Sequence, residues 1–262
     1  MLLEVCKLRG GYGKGDVCKG ICCSIDRGEI LSVLGPNGCG KTTFFRLLLG
    51  ILRPTGGDIR MDGSSIMGLE RRRLSKLIAY IPQQHVPIFA YTVLDIVLMG
   101  RGGHTTAFQT PGEKDRQAAF AALEKLKISH LAHQKYTALS GGQRQLVLIA
   151  RAVCQDAKVL IMDEPGASLD YANQQLLINV LMNLASQGYG IILSTHSPEH
   201  PFSVAHKVLL MKEGRVAAFG PPEEAITRET LEGVYGIAMD VVSVDDRGGR
   251  RHTFCLPVSQ QY

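Results

Sequence analysis

The chain has 262 residues, 45% hydrophobic and 20% charged, which suffices for a large buried core and excludes a disordered chain. Its net charge of +5 is not gathered into a block; the densest run, Arg71-Arg72-Arg73, suits a solvated helix or turn face, so no nucleic-acid partner is expected. Seven cysteines without a C-x-x-C pair argue against a disulfide framework or zinc ribbon, and neither a spanning apolar stretch nor a signal peptide is present, so a soluble, cytoplasmic chain is expected.

In chain order, Leu2 to Lys7, Ile21 to Ile25 and Glu29 to Leu34 read as an antiparallel β region, broken by the turn-rich Gly10-Gly-Tyr-Gly-Lys-Gly15. Tyr12 stands in that turn, either as a half-exposed turn aromatic or as a stacking platform for adenine. Gly35-Pro-Asn-Gly-Cys-Gly-Lys41-Thr42-Thr43 follows the apolar run Ile30 to Leu34 and opens a helical run to Leu49. Short strands are expected at Gly56 to Gly63 and at Lys76 to Ile81, the latter ending in Pro82-Gln83-Gln84. The pattern then turns helical: Thr92, a candidate N-cap, to Met99; a loop at Gly100 to Gly112; and Lys114 to Leu126, with Ala118, Ala119, Ala122, Leu123 and Leu126 at three- and four-residue spacing.

Alternation resumes with a helix from Ser140 to Gln155, a buried strand Val159 to Met162 ending in Asp163-Glu164-Pro165, a helix Tyr171 to Ser186, and a strand Ile191 to Leu193 ending at Ser194-Thr-His196. Short connections between strand and helix imply a parallel sheet, whose ligand site lies beyond the carboxyl ends of its strands. The last part reads as a hairpin around Glu213-Gly214, a short helix to Tyr235, and a second hairpin pairing Met239 to Val244 with His252 to Val258.

The spacing G-x-x-x-x-G-K-T, with a strand before and a helix after, is that of a phosphate-binding loop. Gly35, Asn37, Gly38, Cys39 and Gly40 supply backbone N–H groups at a helix N-terminus, where the dipole favours an anion. Lys41 would reach the β- and γ-phosphates, with the hydroxyl of Thr42 on Mg²⁺ and Thr43 beside it. Cys39 lies beside Lys41 and a helix N-terminus, two features that lower a thiol's pKa, so thiol reagents are expected to inhibit by attacking it.

Two carboxylates at a strand end suggest two tasks. Asp163 suits the Mg²⁺ shell and Glu164 suits polarising the water that attacks the γ-phosphorus, since adjacent side chains on a strand face opposite ways and can serve metal and water separately. His196, at the next strand's end, is placed to contact the γ-phosphate.

Leu139-Ser140-Gly141-Gly142-Gln143, with the phosphate loop and Val159-Leu-Ile-Met-Asp-Glu164, resembles the motif set of ATP-binding-cassette ATPases over residues 1 to about 220. The resemblance implies an α/β fold: a P-loop NTPase core with a mostly parallel sheet, an N-terminal antiparallel β region and an inserted helical signature subdomain. With it the chain divides into a nucleotide-binding core at 1–84 and 157–235 and a helical subdomain at 85–156; beyond the resemblance, 236–262 reads as a C-terminal β appendage that steadies the dimer or as a mere terminal hairpin. By it Tyr12 looks like the adenine-stacking aromatic, Gln83 the glutamine linking metal and attacking water to the helical lobe, Asp170 part of the loop crossing between subunits, and His196 the switch histidine. Ser140, Gly142 and Gln143 would face the γ-phosphate held by a second copy, so that two ATP molecules are sandwiched head to tail. Gly166 departs from the threonine many members carry.

Ala79-Tyr-Ile-Pro-Gln-Gln84 and Tyr91-Thr-Val through Met99-Gly-Arg101 are similar to importers of iron-siderophore complexes, haem, cobalamin and molybdate or tungstate. Such importers join two cassettes, on the cytoplasmic face of the inner membrane, to two permease subunits and an extracytoplasmic binding protein. An exporter cassette and a soluble cassette uncoupled from transport stay open as alternatives.

Overall fold

A computed structural model describes residues 1–13, 15–83, 90–103, 110–249 and 251–258. The chain opens with β1 (Leu3–Gly10), β2 (Cys18–Ile25), β3 (Ile30–Leu34), α1 (Lys41–Leu48), β4 (Gly56–Met61) and β5 (Ser64–Ser65). There follow α2 (Arg71–Ser75), β6 (Ile78–Ile81), α3 (Val93–Leu98), α4 (Glu113–Lys125), α5 (Gly141–Cys154), β7 (Val159–Met162) and α6 (Tyr171–Ser186). The last elements are β8 (Gly190–Thr195), α7 (His200–Val204), β9 (Lys207–Lys212), β10 (Arg215–Gly220), α8 (Pro222–Ala225), α9 (Arg228–Tyr235), β11 (Met239–Asp245) and β12 (Arg251–Pro257). Two compact units result: Met1–Gly68 with Ala185–Tyr262, and Leu69–Leu184.

In the first unit β1 pairs antiparallel with β2 and β4, and β5 closes that sheet beside β4. The β1–β2 ladder slips at Lys7, whose φ of 47° marks a bulge. A second run of strands places β3 between β8 and β9, parallel to both, with β10 antiparallel on β9; β3 therefore does not join the antiparallel region expected for it, since its fully buried apolar run suits a strand covered on both faces. β3 is buried at all five positions and β9 over Val208 to Met211, as parallel strands covered on both faces require. Leu34, Val208, Leu210 and Leu231 form a core that also receives Met239 and Cys255 from the β11–β12 hairpin. The opposite face of that hairpin exposes Val242, Val244, Phe254 and Leu256.

In the second unit β6 runs parallel to β7, and α5 packs against α3 and α4. Thr92 and Ser140 cap α3 and α5 with reciprocal side-chain and backbone hydrogen bonds, each fixing a helix start where the sequence places one. The helical stretch expected at 85–156 lies inside this unit, together with β6, β7 and most of α6. The expected loop at 100–112 begins as a 3-10 turn, Met99–Gly103; its residues 104–109, like Lys14 and Gln84, lie outside the described residues. The arginine run is the exposed start of α2. Helix α7 lies where the sequence pattern gave no helix; Pro201 sits in its first turn, where a missing N–H costs nothing. Among the described residues no helix is long and apolar enough to cross a membrane.

Candidate functional site

In the first unit the phosphate loop joins the buried end of β3 to α1, which begins at Lys41. The backbone is closely confined at Gly35: a Cβ there would stand 2.4 Å from the carbonyl oxygen of Met211 and 2.8 Å from Cys39 Sγ. No other residue fits that cradle. The Lys41 side chain is 7% exposed, and its Nζ donates to the carbonyl oxygens of Gly35, at 2.6 Å, and Pro36, at 3.2 Å. An ammonium so held lies across the loop with its charge directed at the backbone that curls around it. Asn37 and Gly38 form the turn of the loop, and Thr42 and Thr43 follow Lys41 in α1.

Cys39 departs from expectation. Its side chain is only 4% exposed, and burial pushes its thiol pKa up against the opposing pull of Lys41. Desolvation of a thiolate therefore outweighs the neighbouring charge, and the expected activated nucleophile is instead a shielded thiol.

Tyr12, in the loop between β1 and β2, is 49% exposed. Its hydroxyl accepts a 2.5 Å hydrogen bond from Arg46 Nη1, whose guanidinium carbon lies 5.7 Å from the ring centre. His196 follows the last residue of β8 and is exposed; its backbone carbonyl accepts a 3.5 Å hydrogen bond from the Tyr235 hydroxyl. The Thr195 hydroxyl meets His200 Nδ1 at 3.2 Å, and desolvation, then the neighbouring His196, lowers the His200 pKa. The first unit thus gathers the phosphate loop, Tyr12 and His196.

In the second unit β7 stops at Met162, so the pleat of a strand does not set the directions of Asp163 and Glu164, contrary to expectation. Asp163 still donates its backbone N–H to Ile81 O at 3.0 Å, but Glu164 adopts φ 45° in the left-handed region and turns the chain sharply. Its Oε2 accepts a 3.2 Å hydrogen bond from Gln83 Nε2, bringing together two residues that lie 81 positions apart.

The Asp170 carboxylate caps α6, accepting from Asn173 N at 2.8 Å and from Asn173 Nδ2 at 2.9 Å. Gln174 Nε2 ties down the same loop through the carbonyls of Gly166 and Leu169. At the start of α5, Ser140 Oγ accepts from Gln143 N at 3.3 Å while Gln143 Oε1 accepts from Ser140 N at 3.0 Å. Gly142 is buried against Asn173: a Cβ would stand 2.2 Å from Asn173 Oδ1. The second unit therefore groups Gln83 with Glu164, and the signature turn with Asn173 and Asp170.

Sequence reasoning passed over Arg46, Asn173 and Gln174. Asn173 carried a usable signal, since Asp170 three residues before it is the spacing of a helix cap. Arg46 carried none, because its partner is 34 residues away.

The ABC transporter family model matches residues 18–167. The molybdate import ATP-binding protein MolC of Haemophilus influenzae is 42% identical, covering 82% of this chain and 80% of its own length. The hemin import ATP-binding protein HmuV of Myxococcus xanthus is 32% identical, covering 92% of both chains. A solved structure of an inward-facing ABC transporter assigned to the metal-chelate type matches with a TM-score of 0.88 and 36% identity, over 99% of this chain and 98% of its own. The phosphate loop, the signature turn and the paired carboxylates stand within a P-loop NTPase fold shared with those cassettes, and the chain belongs to the ABC transporter family as an ATP-binding, ATP-hydrolysing cassette.

Proposed function

We propose that this cassette drives import of a metal species, in the class of ferric siderophores, haem, cobalamin and molybdate or tungstate, through a pair of permease subunits served by an extracytoplasmic binding protein. The relatives named for molybdate and hemin import support the direction, and their coverage of most of this chain supports carrying the role across. The cassette would sit at the cytoplasmic face of the inner membrane, held there by the permease.

The hydrolytic roles rest on the hydrogen bond of Gln83 to Glu164. Glu164 polarises the attacking water, and Gln83 orients that carboxylate from the residue that follows β6 by two. Lys41 and the loop amides hold the β- and γ-phosphates, Tyr12 stacks on adenine, and His196 contacts the γ-phosphate. The hydroxyl of Thr42, and separately the oxygens of Gln83 and Asp163, are the ligands assigned to Mg²⁺. They are hard oxygen donors, which suit an ion that keeps waters and phosphate oxygens in its shell. Bound with ATP, Mg²⁺ supplies charge neutralisation at the transferring phosphoryl group. Ser140, Gly142, Gln143 and Asp170 of one copy complete the nucleotide site of a second copy paired head to tail.

The test is uptake by a deletion strain given labelled ferric siderophore, haem, cobalamin, molybdate and tungstate, complemented with the native gene or with Glu164→Gln. Uptake of one species restored by the native gene and not by the variant supports import and names its cargo. Unimpaired uptake of every species in the deletion strain overturns the import reading.

A further inference from the structure

The loop that carries Tyr12 leaves β1 and returns to β2, closed at its base by Val17 N donating to Gly10 O at 3.0 Å. Its flanks are fastened to the chain that follows α1: Thr55 N donates to Arg9 O at 2.9 Å and Thr55 Oγ1 to Asp16 Oδ1 at 2.7 Å. The tip is met by Arg46, in the last turn of α1, which combines a hydrogen bond to the Tyr12 hydroxyl with a position inside the range of cation–π attraction.

Helix α1 begins at Lys41, so Arg46 stands five residues further on, about 7.5 Å along the axis. One rigid helix thus carries the phosphate-holding ammonium at its start and the anchor of the Tyr12 ring near its end. A half-exposed tyrosine on a glycine-rich loop has many orientations, and ordering it on ligand binding has a conformational cost. Arg46 removes that cost in advance by holding the ring through its hydroxyl and from one side, while Tyr12 stays half exposed and so keeps ring surface for a base. A shorter side chain at position 46 does not span to the hydroxyl, a neutral one lacks the cation–π attraction, and Lys lacks the planar fork that engages oxygen and ring together.

We propose that Arg46 is a positioning residue for the base of the nucleotide, setting the Tyr12 ring at a fixed span from the phosphate loop. The proposal rests on the reading of Tyr12 as the adenine platform. Arg46 acts through tyrosine and not on phosphate, so its loss weakens ligands that carry a base and spares those that do not.

The experiment measures Kd for Mg·ATP and for inorganic tripolyphosphate with Mg²⁺ on the native protein, Arg46→Ala, Arg46→Lys, Tyr12→Phe, Tyr12→Ala and the Arg46→Ala/Tyr12→Phe double variant. Arg46→Ala and Tyr12→Phe, which removes the hydroxyl alone, each weaken ATP about threefold to tenfold and leave tripolyphosphate unchanged. The double variant is no worse than the weaker single one, and Tyr12→Ala loses about tenfold or more. Equal weakening of ATP and tripolyphosphate by Arg46→Ala overturns the proposal, because Arg46 then acts as a counter-charge. A loss in Tyr12→Ala with none in Arg46→Ala overturns it while the platform reading stands. Unchanged ATP affinity in Tyr12→Ala overturns the platform reading and the proposal together.

Discussion

Replacing Gly214 by Ala should damage the phosphate loop from behind. Gly214 lies in the β9–β10 turn at φ 77°, where its N–H donates to Cys39 O at 2.9 Å and its carbonyl accepts from Lys19 N at 2.7 Å. A Cβ at that position would stand 1.6 Å from the carbonyl oxygen of Val17. The left-handed conformation costs a non-glycine residue about 1–2 kcal/mol. Relieving the overlap requires the turn to withdraw by more than an ångström, which forfeits both hydrogen bonds at about 0.5–1.5 kcal/mol each. The sum is about 2–5 kcal/mol, a fall in Tm of roughly 5–15 °C for a chain of this size. ATP affinity should fall as well, since the Cys39 carbonyl inside the loop loses its donor. Gly63→Ala is the control: its φ is 80° but a Cβ there meets nothing within 4 Å, so it bears the conformational cost without the overlap. Thermal unfolding and ATP titration of the two variants decide the matter. If Gly214→Ala is no less stable than Gly63→Ala and binds ATP as the native protein does, the reasoning is refuted.

Thiol labelling at neutral pH should reach exposed Cys22 well before buried Cys39, read by peptide mass spectrometry; preferential labelling of Cys39 would contradict its raised pKa and burial. Gly142→Ala should displace the Asn173 side chain from its 2.9 Å bonds to Asp170, lowering stability by about 1–2 kcal/mol, and Asn173→Ala in the same chain should relieve most of the overlap. A double variant as unstable as the sum of the two single ones would show that the two side chains do not meet.

What the sequence made legible was whatever is decided within a few residues. Apolar runs marked β3, β7 and β9, cap spacing marked the starts of α3 and α5, and the glycine pattern marked the phosphate loop. The behaviour of Cys39 was not legible, because its flanking residues favour activation while the chain that closes over the loop is far away in sequence, as with Gly214, whose N–H donates to Cys39 O. The end of β7 at Met162 was legible, but the turn at Glu164 escaped because nothing in the neighbouring residue types marks a left-handed backbone at a glutamate. Tyr12 and Arg46, like Gly214 and the loop it supports, are joined only by the closure of the first unit. Reasoning on local pattern finds the groups that carry chemistry more readily than the groups that hold them in place.

The left-handed backbone at Glu164 bears on how this protein can vary. A glutamate at φ 45° carries a local cost of order 1–3 kcal/mol that a glycine there would not. The proposed water-polarising residue is thus also a position where the fold would gain by change. Under selection for endurance alone, as in heat-challenged libraries scored only for soluble protein, lineages should drift away from glutamate at 164; under selection for growth on scarce cargo they should return to it. The identity of that residue then records which demand a population last faced.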